Sequence, residues 1–169
     1  MSWRNALIAC ALAAVLPLAG CGIQPLYGPT SSGSRLSDVM SSVEITPVPG
    51  RVGQKLRNEL IFANTGGDTA APSRYRLDIV VKETVTDELV RISGDSTGQV
   101  YQLNATFKLI NLADGKVILE GAAISRAAYD RFQQIYSNVR ARYDAENRAA
   151  RTVAESIKVR IAAYLSNAA

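Results

Sequence analysis

The 169-residue chain contains no histidine, two cysteines and one tryptophan. Without histidine, a His-dependent general base and the usual His-bearing zinc sets are excluded together. Long apolar runs are equally scarce. The one extended uncharged stretch, from Ala6 to Ile23, is broken by Pro17, Gly20 and Gly22, and no charge follows it until Arg35. A spanning helix needs about 20 continuous apolar residues and a charged flank, so this stretch is a poor transmembrane segment. Charge of either sign is modest, 19 basic against 15 acidic residues, too diffuse to argue for nucleic acid.

What is present at the N-terminus is a positive start at Arg4, an apolar middle from Ala6 to Leu16, and then Leu18, Ala19, Gly20 and Cys21. That order is the anatomy of a secretory signal. A Leu, two small residues and Cys look like a lipobox, in which the thiol is diacylglycerylated and the peptide is cut before it. Residues 1–20 are therefore expected to leave as a lipoprotein signal peptide, making Cys21 the lipidated first residue of the mature protein. Cys10 leaves with the signal, so no free thiol remains for a disulfide, a metal or a nucleophile. Removing 20 of 169 residues leaves 149, and losing Arg4 takes the formal net charge from +4 to +3. Each buried acyl CH₂ contributes about 0.8 kcal/mol, so two or more chains anchor such a protein stably. Gly22, rather than Asp, follows the cysteine, which by likeness to sorted lipoproteins favours the outer membrane.

Residues 21–42 run through Pro25, Gly28, Pro29 and a Ser/Gly cluster, and read as a lipidated tether. A single domain is expected over 43–169. Val43 to Thr46 is a short strand closed by Pro47, Pro49 and Gly50. A helix follows from about Arg51 to Asn64, with Val52, Leu56, Leu60 and Ala63 on one face, Arg51, Lys55 and Asn58 on another, and a stop at Gly66 and Gly67. From Tyr75 the period changes to two, with a bend or bulge at Asp87 and Glu88 and a turn over Gly94 to Gly98. Tyr101 to Leu109 is the clearest strand. Asp114 and Gly115 make a hairpin turn into a partner strand from Lys116 to about Arg126. Tyr129 to Tyr143 reads as part loop and part helix start. The last helix runs to about Leu165, with Ala149, Val153, Ile157, Ile161 and Leu165 every four residues. The order predicts an α+β fold, two helices packed on one face of a small, mostly antiparallel four-stranded sheet.

Two stretches carry a family likeness: Cys21-Gly-Ile-Gln-Pro-Leu-Tyr-Gly28, and Gly50-Arg-Val-Gly-Gln-Lys-Leu-Arg-Asn-Glu-Leu60. Together with the strand order and the C-terminal helix they resemble the alphaproteobacterial form of the LptE lipopolysaccharide-assembly lipoproteins. The resemblance implies a non-catalytic outer-membrane subunit that plugs the lumen of the LptD barrel, supports that barrel's assembly and binds lipopolysaccharide. No cofactor, metal or nucleic-acid partner is expected, since the mature chain has neither thiol nor histidine for a metal and its charge excess is diffuse. The resemblance also implies basic contact residues near the strand hairpin and before the last helix, which by position are Arg91, Arg140 and Arg142. Arginine suits lipid phosphates because its forked donors make charge-assisted bonds. The alternative is an auxiliary lipoprotein of another envelope lipid or export system, which could share anchor, tether and domain.

Other motif matches lose on context. Gly94-Asp-Ser-Thr-Gly98 spells a hydrolase elbow, but that turn needs a strand before it, a helix after it and a histidine elsewhere. Asp87 and Glu88 are neighbours in a strand and point to opposite faces, so they do not pair as acid and base. Asn104-Ala-Thr106 spells a sequon, read here as polar residues on an exposed strand face.

Overall fold

The computed structural model describes residues 35–90 and 96–168. In chain order they form helix α1 (Leu36–Ser41), strand β1 (Val43–Ile45), helix α2 (Gly50–Thr65), strands β2 (Tyr75–Val90), β3 (Ser96–Asn111) and β4 (Val117–Asp130), and helix α3 (Ile135–Ala168). The sheet order is β1-β2-β3-β4. β1 runs parallel to β2, as a strand–helix–strand crossover requires, and the other pairings are antiparallel. The fold is thus α+β with a mixed, mostly antiparallel sheet.

Alternation decides which face of the sheet is covered. Leu77 and Ile79 of β2, the run Tyr101, Leu103, Ala105, Phe107 and Leu109 of β3, and Ala123, Ala127 and Tyr129 of β4 are all buried. Register aligns them in rows, such as Ile79, Phe107 and Gly121. α3 lies on this face with Ala149, Val153, Ile157, Ile161 and Leu165, and α2 packs beside it through Val52, Leu56 and Leu60. Gly66 closes α2 in the left-handed conformation, φ 64°, with its N–H on the Phe62 carbonyl. At Gly121 the constraint is contact rather than φ: an added Cβ would sit 3.0 Å from the Phe107 ring. The small residues of β4, whose alternation is faint in the sequence, make room for that ring.

Two expectations need revision. The last part of the stretch read as tether is helix α1, and Leu36, Val39 and Met40 are buried against α2 and α3. Their i, i+3, i+4 spacing was hidden among serines, so the folded domain begins before residue 43. β4 continues past Arg126 to Asp130, with Tyr129 buried, because β3 is long enough to pair with it up to Gly98. The ambiguous segment resolves into strand end, a four-residue linker and a helix beginning at Ile135. The irregularity expected near Asp87 and Glu88 is present as register shifts between Asp87 and Leu89 and between Leu89 and Val90. Residues 91–95, including Gly94 and Asp95 of the expected Gly94–Gly98 turn, lie outside the described residues, while Ser96, Thr97 and Gly98 are the first residues of β3 rather than turn, so strand and not helix follows the start of the elbow-like motif.

Candidate functional site

α3 has 34 residues, about 51 Å at 1.5 Å per residue. Its core stripe starts only at Ala145. The preceding three turns carry Ile135, Tyr136, Val139 and Tyr143, all exposed, with Ile135 81% and Tyr136 74% accessible. Phe132, in the linker before them, is also exposed. Its backbone is fixed: the Asn138 carboxamide accepts from the Phe132 N–H at 2.6 Å and donates to the Phe132 carbonyl at 2.7 Å. The amphipathic pattern thus runs on beyond the core that would bury it, leaving an aromatic and aliphatic surface at one end of the molecule.

Beneath this surface, between α3, the start of α2 and the far half of β2, lies a cleft of about 400 Å³. Its floor is ionic. Glu146 is buried, 4% accessible, and accepts from Arg142 Nε at 2.8 Å and from the Arg51 guanidinium. Arg51 also donates to Asn147 Oδ1 at 3.2 Å and stacks 4.4 Å above the Tyr143 ring. On the sheet side the buried Tyr101 hydroxyl donates to Glu83 Oε2 at 2.8 Å. Burial first, and then the bond to Glu83 and its negative charge, raise the Tyr101 phenol well above its ordinary value of 10.0, against the opposing pull of Arg142 and Arg51. Nearby, Tyr129 donates to Gln99 Oε1 at 2.6 Å, Gln99 donates to Asp87 Oδ1 at 2.7 Å, and burial raises the Tyr129 phenol too.

The structure separates the expected contact residues. Arg142 is half-exposed and engaged with Glu146. Arg140 is exposed, and among the described residues its guanidinium makes no hydrogen bond or ion pair. Two positions on a helix are about 200° apart, so the two do not share a face. Arg91 and Cys21 lie outside the described residues. The sequence gives no motif that marks Glu146 as a site residue and places Arg51 only on the polar face of α2. The i, i+4 spacing of Arg142 and Glu146 was a readable signal, whereas the Arg51 partnership spans 95 positions and only the fold supplies it.

The fold that carries these side chains is a four-stranded, mostly antiparallel sheet with helices on one face and a long last helix. Comparison with known proteins gives its family. The family model LptE, lipopolysaccharide-assembly, matches residues 40–161, and the chain belongs to that family. No curated protein matches the chain in sequence. Among solved structures the fold is shared with a protein from Caulobacter crescentus, at 23% identity and TM-score 0.62, covering 78% of this chain and 95% of that one. It is shared also with the rare lipoprotein B from Shewanella oneidensis, at 11% identity and TM-score 0.55, covering 72% and 93%. A third is the lipoprotein B from Nitrosomonas europaea, at 14% identity and TM-score 0.56, covering 73% and 83%.

Proposed function

We propose that this member of the family is lipidated at Cys21, held at the outer membrane, and works as a non-catalytic subunit of the lipopolysaccharide translocon. It plugs the lumen of the LptD barrel with its domain, on the periplasmic side or inside the barrel, and assists that barrel's assembly. The family match over 40–161 carries the reading. Two features of the fold support it. The sheet face turned away from the helices is mixed, with Lys82, Thr106 and Lys108 beside Val80 and Ile124, as suits contact with a polar lumen. The overhanging start of α3 sets exposed aromatics beside the cationic Arg140, a pairing suited to an amphiphile that carries both acyl chains and phosphates.

On this reading lipopolysaccharide is contacted by Arg91 and Arg140, with Arg142 contributing through its exposed part while holding Glu146. Depletion of the chain in its own cell tests the proposal. Folded LptD barrel in the outer membrane should fall and newly made lipopolysaccharide should accumulate at the inner membrane. Unchanged levels of both would overturn it.

A further inference from the structure

A second, larger groove lies further along α3 from the ionic cleft, between α1, the last turns of α2 and the middle of α3, with a volume of about 810 Å³. Its walls include Leu36 and Met40 of α1, Phe62 of α2 and Ala162 of α3, and Phe62 is 66% exposed although it faces this space. On its floor is Asn64. This side chain is only 6% accessible, and neither its Nδ2 nor its Oδ1 has a hydrogen-bond partner. Buried polar groups in native proteins are nearly always partnered, so an amide with donor and acceptor both idle marks a place where something else binds.

The chemistry of the occupant can be read from the groove. A carboxamide offers one acceptor and two donors, the complement of a backbone peptide group. The protein already uses that match once, where Asn138 gives one bond to and takes one from the backbone of Phe132. The charges at the groove nearly cancel: Arg35, Arg151 and Lys158 are set against Asp38, Glu59, Asp68 and Glu155. An ionic ligand such as a free phosphate gains little there, whereas an uncharged peptide meets no unbalanced charge.

Such a peptide is adjacent in the chain. The described structure begins at Arg35, which lines the groove and has extended backbone, φ −75° and ψ 132°. The thirteen residues before it, 22–34, contain no charged side chain and gather their apolar groups at Ile23, Pro25, Leu26 and Tyr27. At about 3.3 Å per residue they reach about 43 Å, ample to enter the groove from Arg35. We propose that residues 22–34 dock in this groove, a backbone peptide group of the segment pairing with Asn64 and its apolar cluster packing against Phe62. With Cys21 as the lipid-bearing residue, which rests on the function proposed above, docking holds the anchor close to the α1–α2–α3 end and orients the domain on the membrane.

The test uses the full chain, matured in its own membrane and purified in detergent, with Leu26→Cys and Phe62→Cys as introduced thiols. Mass spectrometry of the product reports separately whether Cys21 is acylated; a free Cys21 would refute the anchor while leaving the docking result readable from the mapped disulfide. Under mild oxidation an intramolecular bond between positions 26 and 62 should form at least about tenfold faster than in a Leu26→Cys, Val80→Cys control, since Val80 is 70% exposed on the opposite sheet face. Adding Asn64→Leu should slow the 26–62 bond severalfold while the melting temperature is retained or raised. Equal rates in the two pairs, a rate indifferent to Asn64→Leu, or disulfides formed only between two copies would overturn the proposal.

Discussion

Glu146, near the start of the buried part of α3, is held by Arg51 from the first turn of α2, 95 positions earlier in the chain. This contact and the Arg142 bond fix where the exposed start of α3 leaves the body of the domain. Both arginines keep about half their surface in water, so removing the carboxylate leaves them solvated rather than stranded. Glu146→Ala should therefore cost about 1–3 kcal/mol, below the loss expected when a fully buried charge is orphaned. Arg142→Ala should cost less, because Arg51 remains. Urea unfolding of the two variants and their double mutant checks the order, and equal losses for both would refute it.

Alkaline stability should depend on two tyrosines. Burial raises both the Tyr101 and the Tyr129 phenol, so the folded protein keeps protons that the unfolded chain releases near pH 10.0. Stability is then complete below that pH and falls as pH rises above it, by up to about 1.4 kcal/mol per pH unit for each tyrosine. Tyr101→Phe with Tyr129→Phe should begin less stable, through lost bonds to Glu83 and Gln99, yet decline more gently above pH 10. Melting curves between pH 8 and 11.5 measure this. Parallel declines would show that the phenols do not titrate differently on folding.

Gly121 should tolerate no branched side chain. Its Cβ position lies 3.0 Å from the Phe107 ring, itself packed in the core. Gly121→Val should lose about 1–3 kcal/mol, the usual cost of overpacking, and Phe107→Leu in the same chain should return part of it. A Gly121→Val variant as stable as the parent would mean that the ring has room to move.

These contacts also show what the sequence could and could not reveal. The period-two runs of β2 and β3 and the four-residue repeat of α3 announce themselves, because each buries one face against one neighbour. The lipobox-like stretch ending at Cys21 is a reading of the sequence alone, since it lies outside the described residues. α1 escaped notice because three apolar residues within a serine-rich stretch make a helix only when a neighbouring face is there to bury them. The true length of β4 depended on its pairing with β3, and Asn64 reads in sequence as an ordinary helix-end residue. Of the two expected contact residues before the buried part of α3, Arg142 is the one engaged by Glu146, which Arg51 also holds from 95 positions away, a long-range pair that local spacing does not encode.

The arginines can be separated experimentally. Arg140→Glu together with Arg91→Glu should weaken lipopolysaccharide binding by about tenfold or more with little change in stability, since Arg140 makes no ion pair or hydrogen bond among the described residues. Arg142→Glu is the wrong probe, because it sets a second carboxylate against Glu146 and should lower the melting temperature for that reason alone. Arg142→Lys keeps the charge and tests the fork. Binding unaltered in the Arg91→Glu, Arg140→Glu variant, measured by competition with labelled lipopolysaccharide, would remove both residues from the contact.

Partnership with the barrel is tested by affinity purification. The tagged, lipidated chain is extracted from its own outer membrane in mild detergent, and the co-purifying proteins are identified and quantified by mass spectrometry. The LptD barrel should be recovered at one copy per chain. Recovery of the chain alone, or with a different envelope transport complex, would contradict it.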